Sequence, residues 1–255
     1  MKLHAHRAGG VRYQAMMNKN QIQEMFQAIA PRYDLLNRML SLRQDVHWRR
    51  ALVKGLKIPK GGKVLDVGTG SADIPLEIAR QRGSDVSIFG VDFAWNMLCL
   101  GKDKIARVRR PSHIFLIKGE AFSLPFKPAS FDAVTVAFAI RNLPDRKQAL
   151  ITLLDQLKPG GQIMILELST PRPAPLKYIY LWYFERLLPL IGRVISRNQK
   201  AYSYLPDSVL RFPPPSTFSG LMKNAGFERI TYQPLIFGIA ILFSGFRPRG
   251  AAGTQ

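Results

Sequence analysis

Between Lys63 and Ser169 the chain alternates short apolar runs with amphipathic stretches, and this alternation constrains the fold more than any other feature. "KVLDV", "DVSIFGVDF", "HIFLIKGE", "FDAVTVAFAI" and "QIMILELS" each read as a strand. The intervening segments read as helices. "ADIPLEIAR" follows a glycine-rich turn, and "WNMLCLGKDKIARVRR" ends on a basic turn that suits a helix C-terminus. "DRKQALITLLDQLKPGG" takes Asp145 as its cap and the Gly-Gly pair as its stop. Strands alternating with helices predict a parallel sheet with helices on both faces. Two late runs, "ERITYQP" and "LIFGIAILFSGF", read as an antiparallel hairpin. The fold class is therefore α/β, with a mostly parallel seven-stranded sheet and an antiparallel C-terminal hairpin.

Flanking segments complete the domain. The stretch from Asn20 is amphipathic, with Ile22, Met25, Phe26 and Ile29 at helical spacing, and Pro31 is expected to break it. Residues 1–19 are expected to be a disordered basic start, and a translation start at Met16 or Met17 stays open beside Met1. Residues 20–255 form one domain, with a helical cap over 20–58 and a helical insertion over 170–212. No run approaches the ~20 apolar residues of a membrane-spanning helix. The chain carries 37 Lys and Arg against 17 Asp and Glu, a formal charge of +20. Such a charge draws anionic partners, either nucleic acid or an anionic membrane surface. One cysteine and four histidines leave neither a disulfide framework nor a metal site in prospect, and a reducing cytoplasmic compartment fits best.

Polar residues stand where strands end, and in doubly wound sheets ligands bind at the carboxyl ends of strands. After the first strand comes "LDVGTGSAD", in which Asp66 precedes Gly68, Gly70 and Ser71. The glycines let backbone approach a ligand, and the helix that follows aims free N–H groups at an anion. A dinucleotide site wants a third glycine where this chain has Asp73. Asp92, followed by Phe93, ends the second strand where an acid grips ribose hydroxyls. Glu120 and the Ala121 N–H end the third and suit an adenine edge, with Leu124-Pro125-Phe126 as a wall for the ring. These strand ends favour an adenosine-containing ligand with a small anionic group. S-adenosylmethionine fits, its carboxylate meeting Ser71. Arg141 and Asn142 end the fourth strand on the same rim. Tyr33, Asp34 and Asn37 share a face at helical spacing over the same cleft.

These residues carry a likeness. The chain resembles the demethylmenaquinone methyltransferase / 2-polyprenyl-methoxybenzoquinol methylase family from about Asn20 to Phe246. The motifs are "YDLLNRMLSLRQDVHW", "FDAVTVAFAIRNLPD" with "LKPGG", and "AYSYLPDSVLRFP" with "LMKNAGF". The resemblance implies a class I S-adenosylmethionine-dependent methyltransferase fold and C-methylation of a prenylated quinol, without a metal. It places cofactor contacts on Ser71, Asp92, Glu120, Ala121 and Ala137. Asp45 stands where the family has a histidine, Glu120 where it often has Asp or Asn, and Ala137 where it has a small polar residue. A quinol carbon becomes nucleophilic when its neighbouring hydroxyl ionises, so the site needs a base or a cation that holds phenolate charge. Arg141 suits the cation, unless it pairs with Glu120 or Asp145. Asn142 suits an orienting group, unless it caps the next helix. Asp34 and Asp45 are the candidate proton acceptors, beside Tyr33. "KYIYLWYFERLLPLIGRVISR" has the aromatic, apolar and basic mix of an interfacial helix, or of a lid. Partners are thus a prenylated quinol and an anionic membrane surface at the inner face of the cytoplasmic membrane. No nucleic acid is expected, and a homodimer stays open. Another small or lipid acceptor, or an RNA substrate, is the alternative.

Overall fold

The computed structural model describes residues 19–108, 113–171, 174–183, 186 and 199–250. The expected disordered start lies outside these residues except for Lys19, as does most of the interfacial segment after Tyr183. Seven strands form one sheet: β1 (Lys63–Val67), β2 (Ser87–Asp92), β3 (His113–Lys118), β4 (Phe131–Ala137), β5 (Leu157–Leu168), β6 (Glu228–Leu235) and β7 (Ala240–Phe246). Their order is β3-β2-β1-β4-β5-β7-β6. The first five are parallel, while β7 runs antiparallel to both β5 and β6. From β1 the chain moves outward through β2 to β3, then returns to lay β4 on the other side of β1. That reversal opens a crevice at the carboxyl ends of β1 and β4, where such sheets bind ligands.

Eight α-helices flank the sheet among the described residues: α1 (Lys19–Leu40), α2 (Gln44–Lys54), α3 (Asp73–Arg82), α4 (Trp95–Ala106), α5 (Arg146–Gln156), α6 (Ala174–Trp182), α7 (Gln199–Leu210) and α8 (Pro215–Asn224). One apolar core gathers Leu150 and Leu153 of α5, Phe218 and Met222 of α8, and Phe243 of β7. A second gathers Leu52 and Val53 of α2, Ile74 and Ile78 of α3, and Leu242 of β7. Neighbouring β7 residues thus point to opposite cores, as strand alternation requires. Each fully buried side chain of this size contributes roughly 1.5–3 kcal/mol.

The structure corrects two sequence expectations. Pro31 does not break α1, which runs unbroken from Lys19 to Leu40. A proline has no N–H for the carbonyl four residues earlier, here that of Gln27. That carbonyl accepts instead from the Asn96 side chain of α4, at 3.4 Å. A tertiary donor replaces the lost helical one. The Gly-Gly pair likewise does not stop α5, which is capped by Asp145 as expected but ends at Gln156. Lys158 precedes Pro159, which disfavours helical backbone, so the chain is already extended there. Gly160 and Gly161 instead serve the bulge by which Leu157 and Gln162 pair with Phe131 and Ala133.

Restoring the backbone donor with Pro31→Ala is expected to stabilise α1 by about 1 kcal/mol, offset in part by a freer unfolded chain. The readout is a Tm rise of about 2–4 °C; a lower Tm would show that α1 depends on its proline.

Candidate functional site

The turn after β1 brings bare backbone to the crevice. Gly68 has a φ of +71°, and a Cβ there would lie 2.4 Å from the Ala139 Cβ. Asp92, at the end of β2, fastens this turn to the next. Its Oδ2 accepts from the Gly70 N–H and its Oδ1 from the Ala94 N–H, each at 2.8 Å. Burial raises the Asp92 carboxyl, and the N–H groups of Ala94, Gly70 and Phe93 oppose that rise. Under the turn, Asp66 accepts from the Thr135 hydroxyl at 2.6 Å. Burial pushes its carboxyl up to about 7, against the hydroxyls of Thr135 and Thr69.

A cavity of about 480 Å³ opens over these strand ends. Gly68, Gly70, Asp92, Phe93, Glu120, Ala121 and Ala137 all line it. Two of the expected cofactor residues do not. Asp66 lies beneath the turn, and the buried Ser71 faces α1, its Oγ donating to Asp34 Oδ1 at 2.6 Å. The expected aromatic wall also differs. Phe126, partly buried, packs edge-on against Phe131 of the core at 5.0 Å, and Phe122 lines the cavity in its place. The lining still fits an adenosine-bearing cofactor: a glycine cradle, an acid beside it for a diol, and the Glu120–Ala121 corner for a base edge.

A second cavity of about 520 Å³ lies beside the first. Its walls are mostly apolar and aromatic, including Leu40, Trp48, Tyr180, Tyr183 and Leu205, with Asp45 among the few charges. Tyr33, Phe138 and Arg141 line both cavities and form the partition between them. Phe138 holds it in a left-handed backbone, φ +57°, a strain that folds concentrate at functional sites. Trp48 packs against the Phe138 ring at 6.2 Å, and the Arg49 guanidinium lies 5.8 Å from its centre.

Arg141 sits in a 3-10 turn directly after β4 and is buried. Its partner is neither Glu120 nor Asp145 but Glu167 of β5, which is 0% exposed, at 2.5 Å. Arg141 Nη1 also donates to the Phe138 carbonyl at 2.7 Å, and Nε to Ser208 at 3.3 Å. Nη2 donates in none of these bonds. Burial works against the charge on Arg141, but Glu167 and Tyr33 outweigh it and hold the proton in place. Asn142 does not cap α5. Its Oδ1 accepts from the Tyr204 hydroxyl at 2.9 Å. Burial raises the Tyr33 hydroxyl, against a bond with Asn37 and the nearby Arg141 and Arg49.

The two candidate acids part company. Asp45 lines the second cavity, held by Ser41 at 2.8 Å and Arg49 at 2.6 Å. Asp34 lines neither cavity. Burial raises its carboxyl, but the bonds from Lys104 and Ser71 together hold it below the ordinary range. Both acids belong to one chain of contacts. Arg49 bridges Asp45 and Asp73, the latter at 3.1 Å; Lys104 bridges Asp73 and Asp34, the latter at 2.8 Å. The chain thereby ties α1 and α2 to the first turn of α3, to α4 and to the glycine turn. Arg49, Lys104, Glu167 and Tyr204 were not singled out from sequence. A glutamate inside the apolar run "IMILEL" is the one local signal among them.

The chain matches the ubiE/COQ5 methyltransferase family across residues 14–247. It is 47% identical to the ubiquinone/menaquinone biosynthesis C-methyltransferase UbiE of Geobacter sulfurreducens, over 91% of each chain. It is 43% identical to a demethylmenaquinone methyltransferase of Deinococcus radiodurans, over 88% of this chain and 91% of the other. A crystal structure of a SAM-dependent methyltransferase from Thermotoga maritima shares the fold with a TM-score of 0.62, at 19% identity, over 89% of this chain and 99% of that one.

Breaking the buried pair with Glu167→Gln is expected to cost roughly 3 kcal/mol, because it leaves Arg141 charged and uncompensated. Thermal melts of Arg141→Met, Glu167→Gln and the double variant check this: the double variant should lose less than the two single losses added. The Asp66 proton gives a second test. The folded carboxyl titrates near 7 and the unfolded one near 3.8, so the folded state holds the extra proton between these values. Its stabilising contribution is full below about 3.8 and is lost as pH rises through about 7. Asp66→Asn is therefore expected to flatten the fall of Tm between pH 4 and 7 in the ligand-free protein; an unchanged slope would refute the assignment.

Proposed function

This chain belongs to the ubiE/COQ5 methyltransferase family, and from that premise we propose that it is an S-adenosylmethionine-dependent C-methyltransferase of a polyprenylated quinol, with demethylmenaquinol as the first acceptor and the ubiquinone-precursor benzoquinol as the second. One observation carries this reading: a glycine-cradled cavity with strand-end acids shares a wall with a larger apolar, aromatic one. A donor and a flat hydrophobic acceptor can meet there only across Tyr33, Phe138 and Arg141.

S-adenosylmethionine, when bound, supplies a methyl group already activated by its sulfonium charge. The protein then has three tasks: to position, to exclude water and to manage phenolate charge. Gly68 and Gly70 hold the donor by backbone, Asp92 takes its ribose, and Glu120 with Ala121 takes its base. Phe93 and Ala137 wall it, and Asp66 supports the turn from below. Ser71 acts on the loop through Asp34 and Lys104 as a positioning residue. Tyr33 and Phe138 flank the quinol ring, and Arg141 Nη2 receives the oxygen of the ionising hydroxyl. That charge makes the adjacent ring carbon nucleophilic toward the methyl group; transfer would break the carbon–sulfur bond and leave the donor a neutral thioether, and the ring proton would pass to water as aromaticity returns. Asn142 orients the ring through its amide. Asp45 accepts the hydroxyl proton, and Asp34 holds the cap onto the glycine turn.

The helices over 20–58 serve as a cap and the segment 170–212 as an insertion over the acceptor. The reading includes an anionic membrane surface as the place of work, because a prenyl tail dissolves in the bilayer. Among the described residues no helix is long and apolar enough to cross a membrane.

The direct test is methyl transfer from labelled S-adenosylmethionine to short-tailed demethylmenaquinol and to the benzoquinol in parallel. Turnover of the first is expected to exceed that of the second, and turnover of neither would overturn the proposal. Arg141→Met should lower kcat by ~10²–10³, the loss typical of a donor aimed at developing negative charge, with donor affinity kept. Asp45→Asn should lower kcat by ~10²–10⁴, the usual contribution of a general base; an unchanged rate would exclude Asp45 as base.

A further inference from the structure

The apolar cavity has a mouth, and the residues that form it are exposed. Leu42, Ile179 and Trp182 line the cavity yet are 82%, 63% and 61% exposed. Ile236 lines it as well and is also exposed. These four come from three separate elements: the turn between α1 and α2, the helix α6, and the turn between β6 and β7. Beside them, Tyr178 and Phe237 are 71% and 72% exposed without lining the cavity. Soluble surfaces scatter such residues singly; here they converge on one opening.

Two further observations point the same way. Both turns hold bulky residues in the left-handed region: Leu42 and Arg43 at φ 50° and 62°, Ile236 and Phe237 at 45° and 55°. Glycine adopts this backbone freely, whereas a β-branched isoleucine does so only under strain. The exposed charges within the three rim segments have one sign: Arg38, Arg43 and Lys177 are exposed. The stretches Leu35–Arg43, Ala174–Trp182 and Leu235–Ile239 contain no carboxylate side chain. An apolar rim flanked by cations is complementary to an anionic bilayer surface, with apolar groups entering the acyl boundary and cations staying among the headgroups.

We propose that the rim formed by the turn at Leu42–Arg43, the helix α6 and the turn at Ile236–Phe237 is the face by which the protein docks on an anionic lipid bilayer. The mouth of the acceptor cavity then opens directly into the lipid. The proposal rests on the quinol-methylating reading and adds the surface through which the prenylated acceptor enters.

The test uses the full chain and residues outside the cavity lining. Phe237→Asp, Tyr178→Asp and Lys177→Glu are compared with the parent protein for co-sedimentation with phosphatidylglycerol-containing and purely phosphatidylcholine vesicles. Each is also assayed with a short-tailed quinol free in solution and with a long-tailed quinol held in vesicles. The parent should bind the anionic vesicles. Each Asp variant should bind at least about ten-fold more weakly, turn over the vesicle-held quinol correspondingly less, and keep turnover of the soluble quinol. Lys177→Glu should narrow the preference for anionic over neutral vesicles. Circular dichroism melts show whether each variant is folded, and Phe237→Ser and Tyr178→Ser stand in for any that is not. Turnover of the soluble quinol by the parent with unchanged vesicle binding in the variants would overturn the docking face and leave the methylation reading intact. Failure of the parent on the soluble quinol would instead strike the methylation reading. A mass in solution twice that of one chain, halved by Phe237→Asp with no change in vesicle binding, would make the rim a contact between two copies and likewise overturn the proposal.

Discussion

The buried ion pair between Arg141 and Glu167 is the interaction on which the site depends. Glu167 takes the Arg141 guanidinium with one oxygen and its backbone N–H with the other. The turn after β4 is thereby pinned to the middle of the sheet. That pin fixes the position of Phe138, whose carbonyl the same guanidinium also holds. Without it, the wall between the two cavities would lack its rigid member. A buried ion pair is weak evidence for stability, since taking two charges out of water costs about as much as their attraction returns. Its use here lies in fixing a guanidinium at the partition between the two cavities.

The second set of charges does a different task. The contacts that run from Asp45 through Arg49, Asp73 and Lys104 to Asp34 and Ser71 join α1 and α2 to α3, α4 and the glycine turn, in addition to their apolar contacts. The helix α1 buries little apolar surface against the sheet, meeting α4 through Ala30, Ala94 and Met97. Alternating acids and bases complete its attachment. Such links are strong over short distances, specific in angle and weakened by salt. The glycine turn and α2 are thus connected through charged side chains as well as through packing.

The sheet was legible in the sequence because its information is local. Five apolar runs, their spacing and the polar residues that end them are each readable within ten residues, and the strand-end positions Gly68, Gly70, Asp92 and Glu120 followed from them. Distant partners are not legible in this way. Pro31 reads as a helix breaker because the donor that satisfies Gln27 comes from Asn96, on another helix. Ser71 follows the glycines, but Asp34, which accepts from its hydroxyl, lies 37 residues earlier. Glu167 pairs with Arg141 from the neighbouring strand, 26 residues on. The apolar cavity draws on α1, α2, α6 and the last hairpin together, and no window of sequence contains it.

A wall common to two occupants makes their affinities interdependent. Suppose a donor in the first chamber shifts Tyr33, Phe138 or Arg141 so that the acceptor is held more tightly by some factor. Thermodynamic reciprocity then requires the acceptor to tighten the donor by that same factor. Loss of the donor's methyl and charge would reverse the effect on both sides at once. Release of the two products would therefore be one coupled event, arranged by a partition of only three side chains.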